Sequence, residues 1–71
     1  MALKKHSVLI AGHRTSITLE DEFWQILKSV ATQEKVSLAQ LVTRIDHARE
    51  PATNLSSALR LYVLKSLQDK K

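Results

Sequence analysis

Arg14, Ser16 and Thr18 occupy alternate positions of one short segment, His13-Arg14-Thr15-Ser16-Ile17-Thr18-Leu19. In an extended strand alternate side chains share a face, so these three project together while Thr15, Ile17 and Leu19 turn to the other side. A guanidinium offers a rigid fork of donors, and a hydroxyl both donates and accepts. One fork and two hydroxyls in a row can hydrogen-bond to planar groups with adjacent acceptors, as the edges of DNA bases are. The plainer account of the same residues is a solvated arginine, two ordinary sheet residues, and Thr18 spent as a helix cap.

The rest of the chain reads as helices that must carry this segment. Phe23, Ile26, Leu27, Val30 and Ala31 recur at helical spacing and predict a first helix over about 20–34. Glu20, Asp21 and Glu22 fall in its first turn, where the helix dipole favours acids, and Thr18 with Asp21 has a loose capping-box spacing. Read this way the acids are structural, not a catalytic pair. Trp24 lies beside the stripe and is expected in a dimer core. Ser37 is a suitable N-cap for a second helix over about 38–49, carrying Leu38, Leu41, Val42 and Ile45 on one side. Pro51 stops that helix. Asn54 caps a third, in which Leu55, Ala58, Leu59, Tyr62, Val63 and Leu67 form a stripe that Leu61 and Leu64 widen. Such a helix packs on two sides, as it would between its own core and a partner's.

With no second strand pattern in the chain, the strand at 13–19 has no predicted neighbour. Its backbone donors and acceptors need partners, and the expectation is a second copy of the chain. The fold class expected is therefore mainly α, with one short strand per chain forming an intermolecular antiparallel ribbon, plus a C-terminal third helix. Residues 1–12 read as a basic N-terminal arm, 13–50 as the core, and 51–71 as a helix completing the same domain. At 71 residues the chain is small for an independent core, and without cysteine it has no disulfide to help.

Net charge is +4, and it is unevenly placed. Residues 1–19 carry +3, residues 20–34 carry −3, and residues 35–71 carry +4. That balance suits a polyanionic partner. Three histidines without cysteine or a metal-ligand spacing predict neither a metal site nor a cofactor. The single glycine, Gly12, excludes a glycine-rich phosphate loop, and Ser56 and Ser57 lie in a predicted helix start with no base beside them in sequence. The apolar run Val8-Leu9-Ile10 is far shorter than a secretory or membrane-spanning segment.

Strand, helix, turn and helix in this order resemble the ribbon-helix-helix proteins, the class of the Arc and methionine repressors. The resemblance rests on Arg14 to Leu19, on Phe23 to Ala31, and on Lys35-Val36-Ser37-Leu38 as the turn. Ala11 to Trp24 with Asn54-Leu55-Ser56-Ser57-Ala58-Leu59-Arg60 also looks like a group of small bacterial members. The chain departs from the pattern at Lys35, where many members carry glycine, and in having the third helix. The resemblance implies a homodimer whose ribbon enters the major groove, with Arg14, Ser16 and Thr18 reading bases. It also implies phosphate contacts at the backbone amides of Ser37 and Leu38 and the Ser37 hydroxyl, joined by Lys35, Lys4, Lys5 and His13. Its implied role is a non-enzymatic transcriptional regulator, a repressor in a bacterial cytoplasm on the nucleoid. The alternative is an antitoxin-like module whose third helix engages a partner protein.

Overall fold

A computed structural model describes residues 3–69. Strand β1 (Leu3–Ile10) and strand β2 (His13–Glu20) form an antiparallel hairpin, followed by helices α1 (Asp21–Glu34), α2 (Leu38–Ala48) and α3 (Leu55–Asp69). The hairpin corrects two expectations. Residues 3–10 of the expected N-terminal arm are a strand, and β2 finds its partner in β1 rather than having to recruit a second chain. The physical reason lies in Ala11 and Gly12, which both adopt positive φ, 52° and 83°. Two consecutive residues of that kind make the tight turn whose twist matches the twist of paired strands.

The hairpin has one face inward and one outward. Opposite residues share a face, so Ile17 with His6, Thr15 with Val8, and Ile10 at the turn end lie on the inner side. Ile10, Ile17 and Leu19 are buried there; for Ile17 and Leu19 the alternation of β2 predicts it. Trp24 is also buried, but its ring stacks on His6 of the same chain, with centroids 4.0 Å apart and planes at 12°. Its expected place in a dimer core is thus taken by an intrachain contact.

The helices follow their sequence signals closely and differ in their caps. Glu20, not Thr18, is the N-cap of α1, and no side chain caps it, because β2 remains extended through Glu20. At α2 the Ser37 hydroxyl accepts from the Gln40 amide at 3.0 Å, while the Ser37 amide donates to Gln40 Oε1 at 2.9 Å. That reciprocal pair is a full capping box. Asn54 Oδ1 accepts from the Ser57 amide at the start of α3. Lys35 ends α1 in the left-handed region, φ 59°, with its amide directed to the carbonyls of Ala31 and Thr32. A side chain in that conformation is strained, so Lys35→Gly should raise stability by about 1 kcal/mol, read as a higher melting temperature.

α2 packs on β1, and α1 and α3 pack on β2, with all three helices touching one another. Leu19, Leu27, Leu41, Val42, Leu59 and Val63 are essentially sealed from solvent where they meet. The third helix is therefore part of the one core, and that core closes within a single chain.

Candidate nucleic-acid interface

The outer face of the hairpin gathers side chains from both strands. On β2 it carries Arg14, Ser16 and Thr18, all exposed. On β1 it carries Leu9 opposite Arg14, Ser7 opposite Ser16, and Lys5 opposite Thr18. Sequence reasoning placed the β2 trio on this face but missed the contribution of β1. The signal was present in His6, Val8 and Ile10 alternating with Lys5, Ser7 and Leu9, but Leu9 breaks the polar pattern and conceals it.

The dimensions of this face suit a base stack. Two residues along a strand advance about 6.8 Å. Successive bases along one strand of duplex are about 3.4 Å apart, so Arg14, Ser16 and Thr18 fall at about every second base step. Two strands lie about 4.8 Å apart, and a two-stranded ribbon fits a major groove about 12 Å wide.

Acids around this face are paired with bases. Arg60 Nε donates to Glu20 Oε1 at 2.9 Å, and Lys4 Nζ lies 3.8 Å from Asp21. Lys4 and Lys5 thus separate: Lys5 belongs to the outer face, whereas Lys4 stands on the opposite side of β1, beside the start of α1. His13 sits exposed at the turn end, paired with Ile10. The Arg60 hydrogen bond, with its charge, holds the Glu20 carboxyl below the usual glutamate range. Arg44 does the same for Glu34, with a further hydrogen bond from the Tyr62 hydroxyl.

Those two shifts fix a direction for the acid response. A carboxyl whose folded value is lowered contributes stability that is fully present above its unfolded value, near 4.5, and is lost as pH falls through the folded value. The melting temperature is expected to hold from neutrality to about pH 5 and to fall below it. Glu20→Gln and Glu34→Gln together should flatten part of that fall; an unchanged profile would rule these pairs out as its source.

Lys35, Ser37 and Leu38 form a second group at the α1–α2 turn, and no hydrogen bond or ion pair among the described residues joins it to the hairpin. The capping box has a consequence for the anion site expected there. Gln40 occupies the Ser37 amide and donates to the Ser37 hydroxyl oxygen. The Leu38 amide, in the first turn of α2, is left without an intrahelical acceptor. An anion at this end would meet Leu38 directly and Ser37 only if Gln40 moved. The pattern Ser37-Leu38-Ala39-Gln40 signals this box in the sequence itself.

Among the described residues no group of three His, Cys, Asp or Glu side chains could hold a metal ion. No described helix is long and apolar enough to cross a membrane.

Comparison with known proteins agrees with this architecture. No curated protein matches the chain. Among solved structures it is similar to an uncharacterized protein from Bordetella pertussis Tohama I, with a TM-score of 0.77 and 28% identity. The match covers 94% of this chain and 57% of that one, so this chain spans little more than half the length of its structural relative. A match to the ribbon-helix-helix domain runs over residues 3–67, from the first residue of β1 to near the end of α3. The hairpin, the two capped helices and the third helix all lie within it, and the chain belongs to the ribbon-helix-helix domain family, a class of DNA-binding regulatory domains.

Proposed function

We propose that this protein is a sequence-specific DNA-binding transcriptional regulator, acting as a homodimer, whose hairpin lies in the major groove with its outer face toward the bases. The observation that carries the reading is the outer face itself. It brings Arg14, Ser16 and Thr18 of β2 beside Lys5 and Ser7 of β1, with the neighbouring acids Glu20 and Asp21 paired to Arg60 and Lys4. Arg14 reads guanine through its fork, and the hydroxyls of Ser16 and Thr18 read either donors or acceptors. Lys5 reaches bases or the flanking backbone, and His13, Lys35 and the Leu38 amide at the start of α2 supply phosphate contacts that orient the domain without reading sequence, joined by Ser37 when Gln40 swings away and by Lys4 when it leaves Asp21.

A repressor role in a bacterial cytoplasm follows from the same reading, since a domain this size that occupies a groove acts most simply by excluding other proteins from that site. The test is selection of bound sites from a random duplex pool, followed by binding to the selected and scrambled sequences across a salt series. A selected site should bind at least 10³-fold more tightly than scrambled DNA at one salt concentration. Equal affinity for both, with only a salt slope, would reduce the protein to a nonspecific binder.

A further inference from the structure

α3 turns Leu61 and Leu64 to solvent, 56% and 51% exposed, and lays another side against β2. Ser56 and Arg60 stand on that side, one helical turn apart. The Ser56 hydroxyl donates to the Thr18 carbonyl at 3.0 Å. That carbonyl is free to accept because, after a two-residue turn, Thr18 falls in a pair whose backbone groups point away from β1. Arg60 Nε donates to Glu20 Oε1 at the end of β2, and its guanidinium lies 5.9 Å from the centre of the Phe23 ring in the first turn of α1. Two side chains of α3 thus join β2 and α1.

The corner between β2 and α1 has no side-chain cap of its own. Glu20 is the N-cap of α1, but its side chain caps no helix amide and turns to α3 instead. Thr18, the last residue of β2 on the outer face, has its backbone fastened by a residue 38 positions away. Among the described residues no side-chain hydrogen bond reaches Arg14 or Ser16, so toward the turn the outer face rests on the hairpin itself. The hold of α3 is confined to the Thr18 end.

We propose that Ser56 and Arg60 are positioning residues for DNA reading, which set the angle of the Thr18 end of the hairpin against α1 and so the base preference at that end. The inference rests on the reading of the outer face as the surface that meets the bases. A domain that touches bases with β2 and phosphates with the start of α2 relates the two contacts through the β2–α1 corner. Groups that recognise a ligand edge must be held within about 0.5 Å of the productive geometry by the residues behind them. Neither Ser56 nor Arg60 has to touch DNA to do this. The Arg60 charge is already engaged by Glu20, so its loss removes an anchor rather than a phosphate contact.

The experiment repeats site selection from a random duplex pool with the wild-type chain and with Arg14→Ala, Thr18→Ala, Ser56→Ala and Arg60→Gln, each checked for folding by circular dichroism. Arg14→Ala and Thr18→Ala mark the base positions that those two residues read. Ser56→Ala and Arg60→Gln should relax the Thr18 positions and leave the Arg14 positions as selective as in the wild type. On the wild-type site each should lower the selected-to-scrambled ratio by about 10-fold, the worth of one base contact. Ser56→Thr keeps the hydroxyl and should restore the wild-type profile; Arg60→Lys keeps the charge, should restore part of it, and stands in if Arg60→Gln does not fold. A wild-type profile in both the Ser56 and the Arg60 variants overturns the proposal, as does a uniform loss at all positions that follows a lowered melting temperature. So does a Thr18→Ala protein that keeps the wild-type profile. A wild-type chain that selects no site overturns the reading of the outer face itself, and the inference with it.

Discussion

Arg14→Ala is expected to leave the domain folded and to abolish most of its preference for a selected DNA site. Arg14 is exposed on the outer face, opposite Leu9, and takes no part in the core. Its removal should therefore change stability by no more than about 0.5 kcal/mol. A bidentate arginine–guanine contact is worth about 1–3 kcal/mol of discrimination, and a symmetric dimer makes it twice. The selected-to-scrambled ratio should then drop by roughly 30-fold to 10⁴-fold, while nonspecific affinity falls much less because the other cations remain. Titrating both DNAs at one fixed salt concentration measures this ratio. An alanine variant that keeps the wild-type ratio would show that Arg14 does not read sequence.

Leu59→Ala should have the largest effect on stability. Leu59 has no exposed surface and packs from α3 into the cluster that contains Leu19, Leu27 and Leu41. Truncating a buried leucine to alanine costs about 2–5 kcal/mol, through lost burial and the cavity left behind. A domain of this length has a total stability of roughly 4–11 kcal/mol, so the variant should be partly unfolded at physiological temperature. Leu64→Ala on the same helix is the control and should shift stability by less than about 0.5 kcal/mol. Chemical denaturation of the two variants at one low protein concentration decides whether α3 is a core element; similar midpoints would make it an appendage.

Much of this arrangement is written in local patterns. The alternation from Arg14 to Leu19 gives β2 and its two faces, and the apolar spacing from Phe23 to Ala31 gives α1. Ser37, Pro51 and Asn54 mark helix boundaries because each acts through the backbone within a few residues. β1 is harder to read because its turn lacks the usual Asn-Gly or Gly-Gly signal: Ala11 takes a positive φ that alanine seldom adopts. The misassigned cap of α1 has a related cause. Thr18 has the right spacing from Asp21, but it lies inside β2 with its side chain on the outer face, so it cannot turn back to cap the helix. Contacts such as Ser56 to Thr18 and Arg60 to Glu20 join residues 38 and 40 positions apart, and no local pattern encodes them.

The turn at Ala11 and Gly12 also bears on how the molecule reaches its shape. When a ribbon is assembled from two chains, its folding includes a bimolecular encounter and slows on dilution. Here the pairing partner of β2 is tethered by two residues, and hairpins of this kind close in about 1–10 μs. Refolding of the hairpin from denaturant should accordingly proceed at a rate independent of protein concentration, so a newly made chain can complete its two-stranded sheet before it meets another copy.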